Sequence, residues 1–174
     1  MKPTELTILI GNIASGQTEF TRRYLQRPEN KDTVVLSKDA MRWGLGGGYK
    51  YKWSEDTEKH IHKSILDSMG RYLADGMNVV YDETNMNRET REPFIDVAKL
   101  VFNGFVHTSF DIRAIVLLPT LSVDEAMRRR CGYSGEAWGF PESRWREAWH
   151  RKNRLFEPPS YDEGFTTITS VGGF

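Results

Sequence analysis

Gly11-Asn12-Ile13-Ala14-Ser15-Gly16-Gln17-Thr18 is the stretch on which the reading of the chain turns. An apolar run, Leu6 to Ile10, precedes it, and Glu19 to Gln26 behind it reads as a helix. A buried strand, a glycine-framed turn and a helix start together make a phosphate cradle. Glycine lets main-chain N–H groups turn inward, and the helix N-terminus adds partial positive charge. The spacing G-x-x-x-x-G-x-T is that of a Walker A loop at every defining position but one. Gly11, Asn12, Ile13, Ala14, Ser15, Gly16, Gln17 and Thr18 are therefore expected to bind a nucleotide, with the Thr18 hydroxyl a ligand for Mg²⁺. The departure is Gln17, where the motif requires lysine. That lysine is a point charge reaching the β- and γ-phosphates, whereas a glutamine amide donates hydrogen bonds without charge. The sequence thus predicts weaker nucleotide binding and impaired phosphoryl transfer. An introduced Lys→Gln exchange in an active enzyme and drift of a natural site both account for it.

Strands and helices alternate away from this loop. Thr33 to Leu36, Met77 to Tyr81, Phe110 to Leu118 and Thr166 to Val171 read as further strands. Ser54 to Asp75 reads as a helix with Ile61, Ile65, Met69 and Tyr72 on one face. Arg88 to Asn103 reads as another, with Phe94, Ala98, Val101 and Phe102 inward. His60 and His62, two apart, read as surface histidines and not metal ligands. The alternation implies an α/β fold: a mostly parallel sheet of about five strands, with helices on both faces.

Polar groups gather at the carboxyl ends of these strands, where ligands collect in open α/β sheets. Ser37-Lys38-Asp39-Ala40-Met41-Arg42 follows the second strand. Asp39 suits a general base on an attacking hydroxyl, and Arg42, three residues on, suits a phosphate clamp. The competing reading makes Asp39 a helix cap and Arg42 a solvated charge. Gly44 to Trp53 reads as a glycine-rich loop in which Tyr49, Lys50, Tyr51 and Trp53 suit base stacking, or simply tuck onto the body. Asp82 of Asp82-Glu83-Thr84-Asn85 suits either Mg²⁺ held through water or a structural cap. Ser122 to Glu125 is a capping box opening a helix that runs into Arg128-Arg129-Arg130 and a loop to Phe140. Residues 128–141 read as a mobile lid carrying guanidinium to phosphate. Successive helical residues diverge by about 100°, so one or two of the three arginines can face the site.

With 174 residues the chain is expected to form one domain over 1–174. Lys plus Arg and Asp plus Glu balance at 24 each, which excludes a strongly basic coat but not a local groove. Cys131 is the one cysteine, so no internal disulfide forms, and this suits a cytoplasmic location. No apolar run approaches the roughly 20 residues of a membrane span, and the N-terminus lacks a signal-peptide core.

Taken together, Leu6 to Thr18, Lys38-Asp39 with Arg42, Tyr49-Lys50-Tyr51 and Asp82 to Asn85 resemble the phage-type polynucleotide kinase family of P-loop kinases, over roughly Leu6 to Pro159. The resemblance implies transfer of the γ-phosphoryl of an NTP, ATP first, to a nucleic-acid hydroxyl, typically a 5′-hydroxyl end of DNA or RNA, with Mg²⁺. It implies Asp39 as general base, Lys38, Arg42, Tyr49 and Tyr51 as acceptor contacts, and Thr18 and Asp82 at the metal. Lid arginines would act on the phosphates. By spacing from Pro119, Arg129 fits the first lid position, with Arg128 at the nucleotide; the second lid position, near Tyr133, has no arginine, and Arg128 or Arg130 is the alternative for the lid role. Two further acceptors or roles stay open: hydroxymethylated pyrimidines within DNA, and a catalytically inactive P-loop module that binds nucleotide or nucleic acid. A small-metabolite kinase stays open as well.

Overall fold

The computed structural model describes residues 3–46, 51–104, 109–118 and 122–172. Its centre is a five-stranded sheet in the order β2-β3-β1-β4-β7, formed by β1 (Thr4–Ile10), β2 (Thr33–Leu36), β3 (Asn78–Tyr81), β4 (Phe110–Leu118) and β7 (Thr167–Gly172). Every pairing in it is parallel. β1 is buried on both faces, and from Leu6 to Ile10 it is apolar except at Thr7, as suits a central parallel strand. Residues Leu36 and Ile8 both lie level with Tyr81, so the segments leaving β1, β2 and β3 emerge side by side. The strand after β1 lies at one edge, and β4 lies on the other side of β1. This is a topological switch point, where a crevice opens.

Helices α3 (Glu55–Ala74) and α4 (Arg88–Asn103) cover one face with Ile61, Ile65, Met69, Phe94 and Ala98 against Leu6, Ile8, Val79 and Tyr81. Helix α1 (Gln17–Leu25) covers the other, stacking Phe20 and Tyr24 beside Leu9, Val80 and Ile115. A third, smaller cluster joins Ile13 of the glycine loop to α5 (Val123–Cys131) and α6 (Glu142–Arg154) through Ala126, Met127, Trp145 and Trp149. Ser54, Asn87 and Ser122 cap α3, α4 and α5, each side chain accepting a main-chain N–H.

Four expectations need correction. Helix α1 begins at Gln17, two residues early, because Gly16 adopts φ 91° and turns the chain directly into it. Helix α2 (Lys38–Gly46) runs through Gly44 and Gly46, read above as loop; ion pairs from Arg42 to α3 hold it, and Gly46 is needed because a Cβ there would collide with the Tyr51 main chain. His62 is not a surface residue: it packs edge-on against Phe94, ring centres 5.4 Å apart, and burial lowers its pKa. The stretch from Cys131 to Phe140 is not a plain loop but a 3-10 turn followed by a hairpin, β5 (Glu136–Ala137) and β6 (Phe140–Pro141). Its two-residue turn, Trp138-Gly139, has φ 56° and 71°, the backbone that a tight hairpin demands. Tyr49 and Lys50 lie outside the described residues, as does Pro119.

Candidate active site

The glycine loop is folded as a concave run of main chain. Ala14 (φ 62°) and Gly16 (φ 91°) are left-handed on either side of Ser15, the alternation that points successive N–H groups into one hollow. Local bonds fix it: Ser15 N donates to Asn12 O at 3.0 Å and Ile13 N to Asn12 Oδ1 at 2.8 Å. Gly11 admits no side chain, since a Cβ would meet Ser15 Oγ and stand 3.0 Å from Leu117 O. The Ser15 hydroxyl is buried without a hydrogen-bond partner among the described residues. Thr18, in the first turn of α1, is exposed on the rim. Gln17 turns aside: its Nε2 donates to Glu83 O at 2.6 Å. Gly11 N in turn donates to Thr84 O at 3.0 Å, so the loop is strapped to the end of β3.

Opposite the loop, the start of α2 carries Asp39 and Arg42. Arg42 Nη1 donates to Asp39 Oδ1 at 2.6 Å, while its Nε and Nη2 grip both oxygens of Glu58 on α3 at 2.8 and 2.6 Å. Tyr51 Oη donates to Glu58 Oε1 at 2.8 Å. Burial opposes the Arg42 charge, but the Glu58 hydrogen bonds, with Glu83 and Asp39 nearby, raise its pKa above the ordinary value. The same bonds hold the Glu58 carboxyl below its own. Arg42 is thus engaged by protein carboxylates and holds one oxygen of Asp39. Neither Glu58 nor Glu83 had a role on sequence grounds, because their partners stand 16 and 41 positions away.

Three carboxylates converge here. Burial first, then Glu83 and Asp39, push the Asp82 pKa up to about 6. Burial and Asp39 push Glu83 upward against the pull of Arg42. These carboxylates, with the exposed Thr18 hydroxyl, offer oxygen donors of the kind a divalent cation takes, among the cations Arg42, Lys152 and Lys38. No cluster of three or more metal-type side chains occurs among the described residues. The protein would then give one or two oxygens, as suits Mg²⁺, which keeps water and takes phosphate oxygens.

Of the three arginines on α5, Arg130 reaches the site. Its guanidinium lies 4.2 Å from the Trp145 ring centre and 5.9 Å from that of Trp138, with Nη2 3.7 Å from Asp39 Oδ2. Arg128 and Arg129 turn to Glu125, at 2.7 and 2.9 Å. Asp39, Arg42, Tyr51, Trp53, Arg130, Trp138, Phe140 and Trp145 enclose a cavity of about 140 Å³. The aromatic residues of the hairpin and of α6 were not assigned to the site from sequence; only the mixture of aromatics and glycines between Cys131 and Phe140 hints at them.

A parallel sheet with a nest after its central strand, and a basic and acidic face opposite, defines the fold of P-loop kinases. A family profile described as an AAA domain matches residues 6–130, and the chain belongs to that family. A search of curated proteins finds no significant match. Among solved structures, the Pnkp1/Rnl/Hen1 complex contains a chain 24% identical with a TM-score of 0.59, over 74% of this chain and 40% of that one. A second structure of that RNA repair complex is matched over 47% of its chain, so this protein spans less than half the length of either. A fungal RNA kinase is 16% identical with a TM-score of 0.62, over 98% and 75%. The Mycobacterium tuberculosis APS kinase CysC, solved with AMPPNP and APS, is 14% identical with a TM-score of 0.63, over 98% and 90%. No helix among the described residues is long and apolar enough to cross a membrane.

Proposed function

We propose that the chain is a phosphotransferase that moves the γ-phosphoryl of a nucleoside triphosphate, ATP in the first instance, to a hydroxyl of nucleic acid, with a 5′-hydroxyl end as acceptor. The observation that carries this reading is the aromatic-walled cavity with Asp39 and Arg42 in its lining, joined to the glycine loop through Glu83, whose carboxylate stands 3.8 Å from Arg42 and whose carbonyl accepts from Gln17. Aromatic walls stack on a base, and a carboxylate within them accepts a hydroxyl proton. Main-chain N–H groups between Asn12 and Thr18, other than those of Ile13 and Ser15 that bond Asn12, hold the phosphates. Asp39, oriented by Arg42, takes the proton as the acceptor oxygen bonds to the γ-phosphorus. The bond from that phosphorus to the β-phosphate oxygen breaks, and the nucleoside diphosphate leaves. Arg130 offsets charge on the transferring group. Thr18 and Asp82 would hold Mg²⁺, which would further neutralise phosphate charge.

The test is incubation with γ-labelled ATP and Mg²⁺ and a panel of acceptors: 5′-hydroxyl DNA, 5′-hydroxyl RNA and duplex DNA carrying hydroxymethylated pyrimidines. Label on a 5′ end supports the reading; label on none of them refutes it. The aromatic residues that share the cavity lining with Asp39 favour one second reading, a single flipped base presenting its hydroxymethyl group. Digestion of the labelled product to nucleotides, followed by thin-layer separation, distinguishes the two.

A further inference from the structure

Residue 17 lacks charge, yet a cation reaches its neighbourhood from the far end of the chain. We propose that Lys152, in the last turn of α6, supplies to the nucleotide phosphates the positive charge that Gln17 cannot. The proposal rests on the glycine loop being a nucleotide site.

Lys152 Nζ donates to Thr84 Oγ1 at 2.7 Å, and Gln17 Nε2 to Glu83 O at 2.6 Å. Side chains from positions 17 and 152 therefore converge on two consecutive residues. Those residues form the strap of the glycine loop, since Thr84 O receives the Gly11 N–H. A lysine at 17 would leave α1 beside the same strap.

The helix that carries Lys152 is fastened to the loop itself. Asn12 Nδ2 donates to Trp149 O at 3.0 Å, one helical turn before Lys152. Ile13 packs against Trp145, Ala148 and Trp149. The ammonium is thereby held at a set place, not swung on a free stem.

Its present partner is a neutral hydroxyl. The neighbouring Glu83 carboxylate stands 3.8 Å from Arg42, and no carboxylate lies within ion-pair distance of Lys152 among the described residues. Burial pulls the Lys152 pKa down, while Glu83 favours the charged form. An ammonium has three N–H donors, so two remain for phosphate oxygens. A half-buried cation short of an anion, fixed beside a nest of inward N–H groups, is where a polyphosphate gains most.

The experiment measures ATP and adenosine binding by calorimetry, in Mg²⁺, to the full chain and to Lys152→Met, Lys152→Arg and the Gln17→Lys/Lys152→Met pair. Charge-assisted contacts of this kind predict about ten- to hundredfold weaker ATP binding for Lys152→Met. Adenosine binding should not change, Lys152→Arg should keep most of the ATP affinity, and Gln17→Lys should restore it in the Met background. Thermal melting checks that each variant folds. Wild-type protein that binds ATP no better than Lys152→Met overturns the proposal and leaves the nucleotide site standing. Equal loss for ATP and adenosine, or no rescue by Gln17→Lys, also overturns it. Wild-type protein that binds no ATP at all removes the nucleotide site and the proposal with it.

Discussion

Arg91→Met should cost the protein about 3–5 kcal/mol of stability, the usual price of leaving a buried charge unpaired. Arg91 is 0% exposed. Its Nε and Nη2 donate to the two Glu163 oxygens at 2.8 and 2.7 Å, and its Nη1 donates to Asn85 O and Glu157 O at 3.1 and 3.0 Å. The Glu163 side chain is only 4% exposed. Removing the guanidinium strands that carboxylate with one main-chain donor, Ser160 N at 3.1 Å, and takes a donor from two carbonyls. Against a typical total of about 5–15 kcal/mol this is roughly a fifth or more of what holds the fold. For a domain of this size it corresponds to a fall in Tm of roughly 6–20 °C. Urea titration followed by tryptophan fluorescence measures it. Changing both partners, Arg91→Met with Glu163→Leu, should recover most of the loss, because no charge is then left buried. A single variant within about 1 kcal/mol of wild type, or a double variant as weak as the single, refutes the reasoning. The consequence reaches the site, since Asn85, whose carbonyl Arg91 holds, also donates to Leu9 O and Glu83 O.

Asp39→Asn should lower turnover by about two to four orders of magnitude with nucleotide affinity unchanged, as single-turnover kinetics beside calorimetry would detect. Trp138→Ala should raise the acceptor KM by roughly five- to hundredfold, the worth of one stacked base, while leaving the KM for ATP alone. The Asp82 carboxyl, raised to about 6, ties stability to pH in a stated direction. The folded state binds this proton more tightly than the unfolded chain, so this group's contribution to stability is greatest below about pH 4, falls as pH rises to about 6 and is level above. Asp82→Asn should therefore stabilise the metal-free protein at pH 7, by up to about 3 kcal/mol, and flatten that part of the pH profile. Denaturation curves from pH 4 to 8 that do not differ between the two proteins contradict this.

The sheet was legible because its signals are local. Leu6 to Ile10, Thr33 to Leu36 and Phe110 to Leu118 are apolar runs bounded by turn residues, and each is a strand within a residue or two. The loop between β1 and α1 was legible because two glycines at a fixed interval carry a backbone requirement, and the left-handed Gly16 meets it. The end of α2 was missed because glycine is a poor helix former; here a tertiary ion pair to Glu58 outweighs propensity. Partners such as Glu58, Lys152 and Glu163 carry no local signal, because each meets its counterpart only after the chain has closed.

The three arginines of α5 mark where local reasoning ends and packing begins. Helical geometry alone says that they diverge by about 100° each, so it limits how many face the site without choosing among them. The choice is made by residues on two other elements. Trp138 is set at the tip of a hairpin, where it holds a backbone that favours glycine, and Trp145 lies on α6. Their rings leave a slot whose walls favour a guanidinium, and the carboxylate of Asp39 lies at its end. Arg130 fills that slot, while Arg128 and Arg129 bond Glu125, three and four residues back along the same helix. Aromatic placement as much as helix phase thus decides which of the three arginines lies against Asp39, a choice that spacing from Pro119 cannot make.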